Sequence, residues 1–164
     1  MDSYYNKISA SYNELYREEQ QEKINIIMQH ITIKPEYKLL DVGCGTAFYL
    51  DDFNCECIGI DPSKKLLEQY KGKKRVLEMS AEDLSFKDNE FDIVTSFTAI
   101  QNFSNIEQGL KEIKRVGKNV FALSFLKRGE NAKKIKELIL KIFSDFNIKE
   151  LEHHKDIIMI IVVG

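Results

Sequence analysis

No stretch of this 164-residue chain approaches the ~20 consecutive apolar residues that a membrane-spanning helix needs, and the polar N-terminus lacks a signal-peptide core. The expected localisation is therefore cytoplasmic, with no membrane partner. Nor is there an excess of one charge: 24 basic residues face 26 acidic ones, for a net charge of −2 and a pI of about 6.0. That balance argues against stand-alone nucleic-acid binding and against an anionic lipid surface. The lysine groups Lys64-Lys65, Lys73-Lys74-Arg75 and Lys133-Lys134 have acids near most of them and read as solvated helix faces. Cysteine is scarce and odd in number, at positions 44, 55 and 57, with no spacing that suggests a metal. Cys55-Glu56-Cys57 is taken to alternate across a strand, with its thiols on opposite faces and unable to converge on an ion. His153 and His154 sit at what reads as a hairpin tip, so no metal site is expected.

With 43% hydrophobic residues the chain can bury one proper core. Its most informative stretch is Leu39-Leu40-Asp41-Val42-Gly43-Cys44-Gly45-Thr46-Ala47, an apolar strand running into a glycine turn and then a helix. Gly59-Ile60-Asp61-Pro62-Ser63 follows as a second strand ending in an acid, 18 residues beyond Gly43. A helix N-terminus and an acid one strand later suit a nucleoside cofactor. A dinucleotide fingerprint would need glycine where Phe48 stands, and no Gly-Lys-Ser/Thr follows the turn to make a P-loop. An acid, a Gly-x-Gly turn and a second acid suit S-adenosylmethionine (AdoMet), which has no pyrophosphate to cradle.

Leu39–Tyr49 resembles motif I of the class I AdoMet-dependent methyltransferases, and Gly59–Ser63 resembles the ribose-binding segment after it. Ser80-Ala81-Glu82-Asp83-Leu84-Ser85-Phe86, followed by Asn89-Glu90-Phe91-Asp92-Ile93-Val94, is similar to the adenine loop and fourth strand of that family. Asn6–Tyr12 resembles the leading helix of the ubiquinone/menaquinone-biosynthesis type (the methyltransferase type 11 group). The resemblance runs in order from about residue 4 to about residue 125.

Periodicity sets the layout. Helices are expected over 3–17 and 20–31, strand one over Tyr37–Val42, a short helix over Phe48–Phe53 and strand two over Glu56–Ile60. A helix from Pro62-Ser63 to about Tyr70 precedes strand three, Arg75–Met79. Strand four, Phe91–Phe97, a helix over Ile106–Val116, strand five at Asn119–Phe125 and a helix over Asn131–Phe143 continue a parallel α/β alternation. Ile148–Glu152 and Ile157–Val163 then form an antiparallel hairpin. The second of these has no polar residue, which predicts burial on both faces inside the sheet. The resemblance implies a Rossmann-like α/β/α sandwich, seven strands in the order 3-2-1-4-5-7-6 with strand seven antiparallel. It also implies one domain over 1–164, with helices in 1–34 as a partial lid on a core of 35–164.

For the cofactor, the resemblance implies Asp41, Gly43, Cys44, Gly45, Asp61, Pro62, Ser80, Ala81, Glu82, Phe97 and Tyr12. Each has a plainer reading beside it. Asp41 could cap the turn, Asp61 could cap the helix before Pro62, Cys44 could be a small buried filler, and Tyr12 could belong to a packing stripe with Tyr5 and Tyr16. Asp61 can accept both ribose hydroxyls. The sulfonium is already an activated electrophile, so in-line methyl transfer rests chiefly on positioning and exclusion of water. Gln101 and Asn102 replace the His-rich pair frequent in relatives and cannot serve as bases, so no catalytic residue is assigned. The expected activity is methyl transfer to a small-molecule acceptor, leaving S-adenosylhomocysteine (AdoHcy), by a monomer or small homo-oligomer. A non-catalytic AdoMet/AdoHcy-binding regulatory subunit, an enzyme needing a partner subunit for a macromolecular substrate, or a scaffold without cofactor are the alternatives.

Overall fold

The computed structural model describes residues 2–164, with side chains described from Glu14 onward. Two compact units, residues 1–32 and 33–164, divide the chain. In the first, one continuous helix, α1 (Asp2–Met28), replaces the two helices expected there. The presumed break falls within Arg17-Glu18-Glu19-Gln20-Gln21-Glu22, a run of strong helix formers without glycine or proline, so nothing stops propagation.

The second unit is an α/β sandwich about one sheet. Its elements are β1 (Lys38–Val42), β2 (Glu56–Asp61), α2 (Lys64–Leu67), β3 (Arg75–Glu78), β4 (Phe91–Phe97), α3 (Ile106–Val116), β5 (Gly117–Leu126), α4 (Ala132–Ile142), β6 (Phe146–His153) and β7 (Asp156–Val163). The strand order is β3-β2-β1-β4-β5-β7-β6, as the resemblance implied. β1 to β5 pair in parallel, and β7 runs antiparallel between β5 and β6. The register sets Leu40 opposite Ile58 and Val94, and Ala122 opposite Ile160.

Burial follows the apolar runs. Leu39, Leu40, Ile93, Val94, Phe121 and Leu123 are fully enclosed, as strands covered on both faces require. On α3, Ile106, Leu110, Ile113 and Val116 recur at helical spacing and form its buried stripe. In β7 the apolar residues 157–161 are buried, while Val162 and Val163 emerge at the end.

Two local expectations fail. The helix expected over Phe48–Phe53 is a single 3-10 turn at Leu50–Asp52, because six residues before the chain turns back into β2 are too few to repay α-helix nucleation. The thiols of Cys55 and Cys57 are not on opposite faces: their Sγ atoms lie 3.7 Å apart. Residues two apart on an extended chain return to the same face. The Cys57 thiol donates to the Cys55 carbonyl oxygen at 3.4 Å, and the contact between the two thiols holds Cys55 below the ordinary range and, with burial, Cys57 above it.

Candidate cofactor and acceptor site

Because β1, β2, β4 and β5 are parallel, their last residues Val42, Asp61, Phe97 and Leu126 share one edge of the sheet. β7 runs the other way, so its first residue, Asp156, stands opposite Leu126 at that same edge. This is where an open α/β sheet holds ligands.

The turn after β1 is built on backbone that side chains would obstruct. Gly43 has φ +75, and a Cβ there would lie 2.5 Å from the Cβ of Ala99. Its N–H and that of Cys44 both donate to the Ile60 carbonyl, at 2.8 and 2.9 Å. Cys44 turns its side chain inward, only 4% exposed, and packs so closely on Gly59 that a Cβ at 59 would meet its sulfur at 2.9 Å. Burial pushes its thiol pKa far up, with Asp41 and Asp61 adding to the shift. Of its two readings, buried filler is the one its side chain takes. No α-helix follows the turn, so the helix N-terminus expected to meet a cofactor's polar tail is not formed here.

Asp61 ties the two halves of this edge together. Its Oδ2 accepts from the Gly45 N–H at 2.9 Å and its Oδ1 accepts from the Ser63 N–H at 2.8 Å. The cap of α2 is Ser63, whose Oγ accepts from the Leu66 N–H, so Asp61 is not the helix cap. A carboxylate has about four lone-pair positions, and these backbone bonds occupy two. Each oxygen therefore keeps capacity for one more donor, which is what a vicinal diol needs. Pro62 follows and leads the chain into α2.

Asp41 is fully buried and bonded on both oxygens. The Tyr49 hydroxyl donates to Oδ2, and the Thr95 hydroxyl donates to Oδ1 at 2.6 Å. Burial pushes its pKa up to about 7 against the opposing pull of those two hydroxyls, and the charge of Asp61 adds to the rise. Asp41 thus orders the turn from beneath through residues of β4 and of the turn itself. Tyr49 also meets Phe97, itself 4% exposed, edge to face at 5.4 Å.

In the loop between β3 and β4, Ser80 is exposed, Ala81 is buried and Glu82 is half-buried. Glu82 reaches away from the loop: its Oε1 accepts from the Asn105 N–H at 2.9 Å. The loop itself hangs on Arg115 of α3, which donates to the carbonyls of Leu84 and Phe86 at 2.9 and 2.8 Å. Glu112 steadies that guanidinium and accepts from the Leu84 N–H. The Tyr12 side chain lies outside the described residues. Of the sequence-derived residues, the structure brings Asp41, Gly43, Cys44, Gly45, Asp61 and Phe97 to one edge.

Sequence reasoning missed three residues there. Tyr49 and Thr95 bond Asp41, and Asp156 Oδ2 accepts from the Thr98 hydroxyl at 2.6 Å. The signals were faint. Thr95 is one of three polar residues in β4, with Asp92 and Ser96, and Asp156 is an acid opening a strand with no other polar residue.

Residues 40–120 match the family model described as a methyltransferase domain. The chain is 32% identical over 118 residues to an uncharacterized methyltransferase, YcgJ, of Bacillus subtilis, covering 63% of this chain and 47% of that protein. It is 35% identical over 104 residues to the demethylmenaquinone methyltransferase of Staphylococcus saprophyticus, covering 55% and 44%. The chain spans about half the length of the curated relatives it matches first. Its fold matches that of a solved complex between the Haloferax volcanii Trm112 methyltransferase activator and a methyltransferase, with a TM-score of 0.73 at 14% identity over 86% and 88% of the two chains. Among the described residues no helix is long and apolar enough to cross a membrane. With the strand order, the Gly-x-Gly turn and the acid ending β2 all in place, the chain belongs to the class I AdoMet-dependent methyltransferase family.

Proposed function

We propose that this protein transfers a methyl group from AdoMet to a small-molecule acceptor. The observation that carries the reading is Asp61: an acid at the end of β2, anchored by two backbone N–H groups, with one acceptor position left on each oxygen. Asp61 would hold the ribose hydroxyls. The turn at Gly43–Gly45 would leave room for close backbone approach, with Cys44 filling the space beneath it. Ser80, Ala81 and Glu82 would flank the adenine, with Glu82 contributing mainly by fixing the loop to α3. Asp41 would act through the turn it supports. Pro62 and Phe97 would border the pocket.

When bound, AdoMet supplies a methyl group already activated by the sulfonium. The chain's own work is then to hold the reactants in line and to exclude water, which needs neither a nucleophilic side chain nor a metal. A small acceptor is supported by the demethylmenaquinone methyltransferase relatives. The fold match to a methyltransferase in complex with an activator gives the second reading, a chain completed by a partner subunit.

Calorimetric titration with AdoMet and with AdoHcy tests the proposal. Micromolar binding of both, followed by transfer of labelled methyl to a small acceptor, is the expected result. A well-folded protein that binds neither would rule the reading out. Binding of both with transfer appearing only on addition of a partner protein would favour the second reading.

A further inference from the structure

We propose that Gln101, at the carboxyl edge of β4, selects acceptors that present an N–H or O–H to its side-chain carbonyl oxygen. This rests on the methyltransferase reading and names the class of acceptor.

The argument begins at Thr98. Its φ is +52, a left-handed conformation that is an outlier for a β-branched residue. Such strain persists only where surrounding bonds over-determine it. Here they do: the Thr98 N–H donates to both the carbonyl and the hydroxyl oxygen of Ser124 at 3.0 Å, and its own hydroxyl is held by Asp156. The chain is thereby fixed across β4, β5 and β7 at the site edge. Strain of this kind clusters at ligand-binding positions, and this segment follows directly on Phe97.

Gln101 is fixed to that same residue. Its Nε2 donates to the Thr98 carbonyl at 2.7 Å, so the amide cannot be turned over without setting oxygen against oxygen. The carboxamide oxygen is left facing a defined direction. It is closed off from water and finds no donor among the described residues. Buried acceptors without a partner are uncommon, and each one calls for a cause. The two donors nearest to it in the bonding chain, the Thr98 hydroxyl and the Gln101 amide itself, are already committed. The missing donor is what a bound ligand would supply.

The chemistry of that ligand follows. An amine or hydroxyl nucleophile that gives its hydrogen to Gln101 has its direction fixed, and its lone pair is left for the methyl group. Because the Gln101 oxygen is enclosed, the acceptor reaches it by displacing a covering side chain. Its return is a hydrogen bond the carboxamide lacks, a gain of roughly ten- to a hundredfold in affinity.

Benzylamine, benzyl alcohol and toluene are matched in shape and differ in their donors. Each is titrated into AdoHcy-saturated, isotope-labelled protein and followed at the glutamine side-chain amide resonances. Benzylamine is expected to bind at least about tenfold more tightly than toluene, with benzyl alcohol between them. In Gln101→Met, isosteric but without the acceptor, the preference should fall below about threefold. Gln101→Leu serves as a second variant, and thermal melting establishes that each is folded. Equal affinities for the three probes, a preference that survives in both variants, or no binding by any probe would overturn the assignment. Failure of AdoHcy to bind would instead strike the cofactor reading, and the same titration on protein without AdoHcy would still decide the role of Gln101.

Discussion

Asp41 carries a carboxylate that no water reaches, and its pKa of about 7 makes it a stability term with an unusual sign. An unfolded aspartate ionises near 3.8, so between about pH 4 and 7 the folded state binds the extra proton. Its favourable contribution is present at low pH and is lost as pH rises through 7. A three-unit shift corresponds to at most about 4 kcal/mol. The carboxylates of Asp51, Glu112 and Asp145, held below their ordinary range by hydrogen bonds, act the other way and at lower pH. Urea denaturation of cofactor-free protein at pH 4.5 and 7.5 should therefore show Asp41→Asn gaining about 2–4 kcal/mol relative to wild type at the higher pH. Equal differences at both values would show that Asp41 is ionised throughout. Asp61 makes a different prediction. Asp61→Ala removes a charge-assisted ribose partner and also frees the Gly45 and Ser63 N–H groups. Affinity for AdoMet and AdoHcy should drop together, by about ten- to a hundredfold, because the ribose is common to both. Unchanged affinity in the folded variant would remove Asp61 from the site.

At the scale of elements, the loop between β3 and β4 depends on α3. Arg115 is the peg: it bonds two loop carbonyls and is itself braced by Glu112. In Arg115→Met the stem can still pack, but both carbonyls lose a charged donor. A loss of about 1–3 kcal/mol is expected, seen as a melting point lower by several degrees. AdoMet affinity should weaken several-fold if the loop holds adenine; unaltered affinity would take residues 80–82 out of the pocket. The legibility of these elements in the sequence divides along one physical line. β7 was legible because its seven-residue apolar run, Ile157 to Val163, bounded by a turn, suits a strand buried on both faces, and the hairpin of β6 and β7 followed from their separation by a tight turn. The helix after the glycine turn was not legible, since its failure depends on how few residues remain before β2 begins. The peg at Arg115 was equally hidden, because its partners are backbone carbonyls about 30 residues away. Asp61 stood out as an acid at the end of an apolar strand, whereas its bonds to Gly45 and Ser63 exist only once two loops meet. The geometry of Cys55 and Cys57 was within reach of the sequence, as strand periodicity places residues two apart on the same side.

In the second unit as a whole the sheet is the shared element, and β7, the last strand in sequence, lies between β5 and β6. Ile157, Met159 and Ile161 join the core cluster that also contains Leu40, Ile58 and Leu110, while Ile158 and Ile160 are buried on the opposite face. A charge inside this strand should be ruinous and a charge at its end should not. Ile158→Asp places an unpaired carboxylate at a fully buried position and should cost more than about 4 kcal/mol, whereas Val163→Asp, at 44% exposure, should change stability by less than about 1 kcal/mol. Denaturation midpoints of the two variants decide this, and an Ile158→Asp protein with a midpoint near that of wild type would contradict the burial. The same sheet links its two ends. The candidate cofactor edge is built on β1, β2 and β4, with β5 lying between β4 and β7. A ligand that binds only folded protein stabilises it by about 2.7 kcal/mol at a hundred times its dissociation constant. If the sheet opens as one unit, that gain reaches strands that never touch the ligand. Amide hydrogen exchange at residues 158–161 should then slow by about a hundredfold under saturating AdoHcy, the same factor as at residues 39–42. Protection that rises at residues 39–42 but not in β7 would mean that the hairpin opens independently of the site. The Thr98–Asp156 bond, which spans β4 to β7, would then be the first contact to break, because it alone among the side-chain bonds named at this edge joins the hairpin to the strands that carry the turn.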